Sequence, residues 1–302
     1  LAAMPIAVAD AHAPADEATD AEHIAATLDE GTMPANEVWN LWHRRLAHRS
    51  PRVIRLLPQH CMGITLPHIA QRDITDLQRC DICPAARMRH RTHPKSADNT
   101  LTSRYDGIHT FGDCVASDHI GPLPPSFQHG YQWGRIFSDV ATGDHTMYMQ
   151  VRKTGPETAH TTKQYESDMA KFGTVKHYVS DGAKELIGTE MQAYSHNKPT
   201  PHAFTWIVAE HSNLNPLAEG GMWILFCMVR AMLEDSGLPV EHWAAAAAYA
   251  SYIYRRMPKM YPRINKITTP YAMLHKHTAQ PHLRGVRLFG CVVHALHPPS
   301  HL

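Results

Sequence analysis

The rhythm of apolar and polar positions changes several times along the chain. Gln132-Trp-Gly-Arg-Ile-Phe-Ser-Asp139-Val and His145-Thr-Met-Tyr-Met-Gln-Val151 are β-rich, and the turn-prone Ala-Thr-Gly-Asp144 between them predicts a hairpin. The run Cys114-Val-Ala before Asp118 is also β-prone, as is the stretch 175–179. Polar residues 156–172 suit a helix, 184–194 a short helix, and 203–208 another strand. From Leu217 the apolar positions 224/225, 228/229 and 232/233 keep a helical period as far as Gly237. Pro239 opens a further helix to Arg256, in which Trp243 and the alanines 244–248 favour close packing. Nearer the start, Asn40–His48 and the run Arg52-Val-Ile-Arg-Leu-Leu-Pro read as two helices. Hairpin strands followed by strand–helix alternation predict an α/β fold, a mixed sheet flanked by helices.

Charge divides the chain unevenly. The formal net charge is only +1 over 302 residues, but residues 1–40 carry eight acids and no Lys or Arg. The remainder has 29 basic and 20 acidic residues, or +9, and residues 41–100 alone have eleven against four. An acidic, aperiodic leader reads as a disordered linker over 1–38. The basic body behind it fits phosphate-backbone binding, and Arg87-Met-Arg-His-Arg-Thr-His-Pro-Lys95 within 84–104 is the stretch best placed to supply it. The chain opens at Leu1, so it reads as part of something longer. The apolar run 222–229 is too short to span a bilayer, so no membrane partner is expected. No Gly-rich phosphate loop or nucleophile elbow is present, so no small-molecule substrate is expected.

Six cysteines include one close pair, Cys80-x-x-Cys83, which excludes a disulfide framework and points to a reducing compartment. His43-x4-His48 lies upstream, with 31 residues between His48 and Cys80. Two imidazoles on one side of a helix and two thiols on a tight knuckle are the number and kind of ligand that a tetrahedral structural zinc requires. A redox pair is the alternative for Cys80 and Cys83, but no thioredoxin-like strand precedes them.

Three acids stand out by context: Ser-Asp118-His-Ile-Gly-Pro122 after a strand, Ser-Asp181-Gly182 after another, and Asn215-Pro-Leu-Ala-Glu219 at the start of the long helix. Two-metal phosphoryl transfer needs carboxylates converging from separate elements, because each hard cation takes oxygen ligands. Asp139, on the next strand, is an understudy whose expected role is a structural acid at a strand end.

These strings resemble the integrase region of copia-type retrotransposons, and Leu-Trp-His43-Arg-Arg-Leu-Ala-His48 resembles the pre-integrase zinc module that precedes it. Leu233-Glu-Asp-Ser-Gly-Leu-Pro-x-x-x-Trp243, Thr268-Thr-Pro-Tyr271 and Arg287-Leu-Phe-Gly-Cys291 extend the resemblance, which covers about residues 40–298. It implies an RNase H-like fold preceded by a small helical zinc-binding module. On that basis 39–98 is the zinc module with His43, His48, Cys80 and Cys83 as ligands, 99–265 the catalytic core, and 266–302 a C-terminal extension. Asp118, Asp181 and Glu219 become the acids that hold Mg²⁺ or Mn²⁺. DNA, both element ends and host target, becomes the partner of a homo-oligomer acting in the nucleus after a cytoplasmic particle stage.

The match frays where DNA would be gripped. Ala47 stands where the family usually has Gly, and Asn215-Pro216 where it has Asn-Gly. After Glu219 the expected cations give way to Gly220-Gly-Met-Trp-Ile-Leu-Phe-Cys, and two glycines at a helix start cost roughly 1 kcal/mol each. Strand transfer is the leading expectation. A catalytically decayed, zinc-containing nucleic-acid-binding relic is the second, and a structural module of a polyprotein the third.

Overall fold

The computed structural model describes residues 33–69, 80–88, 107–181, 188–198, 201–207 and 216–292. Most of the acidic leader and of the basic stretch 84–104, together with the segment after Asp181, lie outside the described residues. The elements run in the order α1 (Ala35–Arg45), α2 (Pro51–His60), α3 (Ile82–Ala86), β1 (Val115–Ile120), β2 (Trp133–Asp139), β3 (His145–Gln150), α4 (Gly155–Met169), β4 (His177–Asp181), α5 (Thr189–His196), β5 (Ala203–Ile207), α6 (Pro216–Ser236), α7 (Trp243–Arg255), β6 (Lys259–Tyr261), β7 (Lys266–Thr268) and α8 (Pro270–Leu274). The sequence pattern anticipated α1, α2, the five strands β1 to β5, α4, α6 and α7 in this order, and named no element at α3, β6, β7 or α8. The short helix it placed at 184–194 is seen as α5, shifted towards the C-terminus, and residues 182–187 lie outside the description.

Five strands form one sheet in the order β3-β2-β1-β4-β5. The β1–β2 and β2–β3 pairs are antiparallel, whereas β1–β4 and β4–β5 are parallel. This is the RNase H-like arrangement of a mixed sheet with helices on both faces. Alternation along the strands sorts the side chains. Ala116, Ile136 and Met147 pack with α6 and α7, whereas Val115, Phe137 and Tyr148 pack with Tyr165 and Met169 of α4. Helix α4 looks polar in sequence because its buried face carries threonines. Thr162 donates its hydroxyl to the Thr158 carbonyl at 2.8 Å and accepts from the buried Arg135 guanidinium at 2.6 Å.

The first two helices do not stand apart from the sheet. Val38, Trp39, Trp42, Leu46, Ile54 and Leu57 share one core with Leu225, Met228 and Met232 of α6 and with Trp243 and Ala250 of α7. The C-terminal segment closes over them, with the Met62 amide donating to the Pro281 carbonyl at 2.9 Å and the Leu283 amide to the Met62 carbonyl at 2.9 Å. Among the described residues no helix is long and apolar enough to cross a membrane.

A buried ion pair locks α7 to the hairpin turn. Asp144 is 1% exposed and accepts from Arg255 Nε at 2.8 Å and from a second guanidinium nitrogen at 2.8 Å. Thr146 completes its shell with a hydroxyl at 2.8 Å. Removing the cation would strand a carboxylate in the core, which costs about 3–5 kcal/mol. Arg255→Met is therefore expected to lower the urea midpoint by that equivalent, and an unchanged midpoint would show that Asp144 is solvated by another route.

Candidate metal centre and carboxylate edge

The histidine pair is built differently from a helical i, i+5 arrangement. Helix α1 ends at Arg45, so only His43 lies on it. The chain then turns through two left-handed residues, Ala47 at φ 51° and His48 at φ 60°. The His48 amide bonds back to the His43 carbonyl at 2.8 Å. That turn, and not helical spacing, folds the second imidazole against the first, with ring centroids 4.7 Å apart. It also explains the glycine preference at position 47, since a left-handed residue strains any side chain with a Cβ. Cys80 precedes α3 and Cys83 sits on its first turn.

One ligand atom from each of His43, His48, Cys80 and Cys83 lies within 4.8 Å of all the others. The thiol of Cys80 is 3.3 Å from His48 Nδ1, and that of Cys83 is 3.4 Å from His43 Nε2 and 3.9 Å from His48 Nδ1. A tetrahedral zinc with Zn–S of about 2.3 Å and Zn–N of about 2.0–2.1 Å has S···N edges of about 3.5 Å. The spacings bracket that edge, so the donor set fits zinc in both size and softness.

Neighbouring groups orient both imidazoles. His43 Nδ1 lies 2.8 Å from the Arg49 carbonyl, which fixes the proton on that nitrogen and leaves Nε2 free to ligate. His48 Nε2 lies 3.5 Å from the Asp235 carboxylate, which Arg44 Nε holds at 3.0 Å through both oxygens. Arg87 donates to the His48 carbonyl at 3.0 Å, and Arg230 of α6 donates to the Ala86 carbonyl at 2.8 Å, tying α3 down. Burial, only partly offset by the Arg49 carbonyl, takes the His43 imidazole down to about 4, and burial also lowers His48. Both imidazoles are therefore neutral and ready to ligate. Burial, followed by the neighbouring Cys80, raises the Cys83 thiol to about 11, so a metal would have to displace its proton. Asp235 was invisible to spacing, because it contacts a partner 191 positions away.

The three acids fall on neighbouring elements. Asp118 lies on β1 and the backbone of Asp181 ends β4; the two strands pair in parallel. Their register runs Val115↔Tyr178, Ala116↔Val179 and Ser117↔Ser180, and its next step would set Asp118 beside Asp181. The side chain of Asp181 lies outside the description. Asp118 is half-buried and accepts from the His119 amide at 2.7 Å. Glu219, also half-buried, is in the first turn of α6, and its neighbour Ala218 is fully buried with Ala116 and Ile136. The first turn of a helix, with its positive dipole end, favours a carboxylate.

The expected damage to this helix is not seen. Helix α6 runs unbroken from Pro216 to Ser236. Pro216 occupies its first position, where a missing amide hydrogen costs nothing. A Cβ on Gly221 would meet the His145 ring at 2.7 Å, so this glycine is required by close packing on β3. Gly220 has open space around it and no such reason. Asp139 is the structural acid anticipated for it. It accepts from Gly112 N at 2.9 Å, Thr142 N at 2.8 Å and Thr142 Oγ1 at 2.7 Å, and it is the last residue of β2, paired with Val115, whereas Asp118 pairs with Ile136 in the middle of that strand.

No family model matches the chain. It is 23% identical over 254 residues to the retrovirus-related Pol polyprotein from transposon TNT 1-94 of Nicotiana tabacum, a match covering 83% of this chain and 17% of that polyprotein. The resemblance to the Pol polyprotein of a copia-type retrotransposon thus rests on most of this chain and on a small part of its relative. Among solved structures, the HTLV-2 integrase catalytic core domain in complex with magnesium is similar at 14% identity and a TM-score of 0.41, over 54% of this chain and 97% of that one. The simian T-cell lymphotropic virus intasome in complex with PP2A regulatory subunit B56 gamma is similar at 14% identity and a TM-score of 0.46, over 80% and 76%.

Proposed function

We propose that this chain is an integrase segment that inserts element DNA into host DNA by 3′-end processing and strand transfer. The observation that carries the reading is the parallel pairing of β1 and β4, which brings the strands of Asp118 and Asp181 side by side under the helix bearing Glu219. In this reading Asp118, Asp181 and Glu219 hold Mg²⁺ or Mn²⁺, an all-carboxylate set suited to a hard cation. Bound there, the metals would activate the attacking water or 3′-hydroxyl and steady the leaving oxygen. Two of the acids are carried by neighbouring strands and the third by the first turn of α6. His43, His48, Cys80 and Cys83 hold a structural zinc, and residues 39–98, 99–265 and 266–302 act as zinc module, catalytic core and C-terminal extension. The working form is a homo-oligomer on DNA, acting in the nucleus after a cytoplasmic particle stage.

A second reading keeps the fold and the DNA but not the turnover. The sequence Gly220-Gly-Met-Trp-Ile-Leu-Phe-Cys favours it, because no cation follows Glu219 until Arg230. A strand-transfer assay with Mn²⁺ and a short duplex carrying an element end separates the two. Wild-type transfer that Asp181→Asn reduces to background supports the enzyme. No wild-type transfer, with zinc content and duplex binding intact, makes the chain the relic. Transfer that survives Asp181→Asn would remove the acid assignment altogether.

A further inference from the structure

One thiol beside the candidate zinc ligands is not among them. Cys227 lies on α6, which packs directly on α3, and it is half-buried. Cys227 and Cys83 line one small cleft, together with Ala47, His48, Arg49 and Arg87. Arg230 ties the thiol to α3. Its Nε donates to the Ala86 carbonyl at 2.8 Å and a terminal nitrogen donates to Cys227 Sγ at 3.4 Å. Cys83 lies one turn before that contact, its carbonyl accepting from the Arg87 amide at 3.2 Å.

The cleft is positive. Arg49 and Arg87 line it, and no Asp or Glu does. Arg49 Nε is buried and has no hydrogen-bond partner among the described residues. Burial lowers the pKa of this guanidinium, and Tyr254, Arg87 and Cys227 are near enough to act on it. A buried N–H donor without a partner calls for an acceptor from outside. The space is about 20 Å³, enough for a molecule little larger than water and too small for a peptide-sized thiol reagent. Hydrogen peroxide meets both conditions, since it is small and both of its oxygens accept. When a sulfur attacks it, negative charge develops on the departing oxygen, and a fixed guanidinium donor stabilises that charge. Cys61 and Cys114 have no such setting: both are buried in the core, where burial pushes their thiols up to about 12 and about 11.

We propose that Cys227 is a peroxide-responsive thiol that governs whether the neighbouring four-residue site keeps its zinc. The proposal rests on the zinc reading and not on the integrase one. In the first step the Cys227 sulfur attacks one peroxide oxygen. The S–O bond forms as the O–O bond breaks, and the thiol proton leaves with the departing oxygen as water. The sulfur is oxidised by two electrons to a sulfenic acid and the peroxide is reduced. In the second step the Cys83 thiolate attacks the sulfenic sulfur, the S–S bond forms and hydroxide leaves. Cys83 then no longer offers a thiolate, and a site reduced to three ligands releases its metal.

The test treats the zinc-loaded chain with hydrogen peroxide, follows zinc release with pyridylazoresorcinol and maps disulfides by mass spectrometry. Wild type, Cys227→Ser, Arg49→Gln and Cys291→Ser are compared, each checked by thermal melting. Wild type is expected to release zinc and to carry a Cys83–Cys227 disulfide. Cys227→Ser should release zinc about ten-fold more slowly, because the responsive thiol is gone. Arg49→Gln should slow release by about the same factor, having lost one donor to a developing anion. Cys291→Ser removes an exposed thiol outside the cleft and should behave as wild type. Release from Cys227→Ser at the wild-type rate overturns the proposal, and so does a wild-type disulfide formed only between Cys80 and Cys83. A chain that binds no zinc removes the metal reading and the switch with it, whereas zinc that stays bound through oxidation of Cys227 removes the switch alone. If Arg49→Gln does not fold, Cys227→Ser and the disulfide map decide.

Discussion

Chelating the proposed zinc is expected to cost this protein its fold well beyond the four residues that would hold the metal. A structural zinc supplies about 10–16 kcal/mol of apparent binding free energy in small modules at neutral pH, against about 5–15 kcal/mol of net stability for a whole domain. Without the metal, two thiols and two imidazoles would share a buried pocket with the left-handed residues Ala47 and His48 holding them there. The turn would have little reason to keep that conformation. Trp39, Trp42 and Leu46 lead directly into it and belong to the core of α6 and α7. Release should therefore propagate along α1 into Leu225, Met228 and Trp243, where residue spacing alone predicts unfolding confined to about residues 40–90. Hydrogen exchange before and after chelation by phenanthroline measures the extent. The expected result is lost protection in both 35–60 and 216–255, matched by Cys83→Ser without chelator. Protection lost only before residue 90 would show the core to be independent of the metal. Protection unchanged, with no zinc found by elemental analysis, would remove the metal centre.

Much of this organisation is legible in the sequence because it rests on local signals. Period-2 and period-3.6 patterns mark β2, β3, α6 and α7, and the turn Ala141-Thr-Gly-Asp144 marks the hairpin. The four candidate zinc ligands are legible because a Cys-x-x-Cys knuckle and a nearby histidine pair are short-range features. What stayed hidden depends on contacts between distant positions. Nothing near His48 announces Asp235, and nothing near Asp144 announces Arg255, because each pair is joined only by the packing of α6 or α7. Gly221 shows the same limit in reverse. It looks like damage to a helix start until His145, two strands away from β1 in the sheet, is seen to occupy the space of its missing Cβ. The helical placement of His48 failed for a local reason: a left-handed turn at Ala47 carries no glycine to betray it.

Acid should destabilise the protein well before its ordinary carboxylates titrate. Burial takes the His119 imidazole down to about 2, with Arg135 and Lys153 adding to the effect, and burial takes His145 down to about 3, with Lys259 adding. Tyr254 stacks on His145 at 4.8 Å and Ser138 lies 2.9 Å from its Nδ1, so the neutral ring is well accommodated. In the unfolded chain both rings take a proton near 6.5. The unfolded state therefore binds more protons below that value, and stability present at neutral pH is lost as pH falls from about 6.5 towards 3. Each ring contributes about 1.4 kcal/mol per pH unit in that window. Asp139 runs the other way. Burial raises it to about 6, so between about 6 and 4 the folded state takes its proton first and offsets one of the two histidines. The balance at pH 5 is a loss of roughly 3 kcal/mol relative to pH 7.5. Zinc loss would add to this, so the decisive measurement is a difference between proteins. Urea midpoints of wild type and His119→Gln from pH 7.5 to 5 should diverge, with the variant's slope shallower by about 1.4 kcal/mol per pH unit. Parallel slopes would mean that the His119 ring is protonated in the folded protein and that Asp118, its neighbour on β1, shares a strand with a cation.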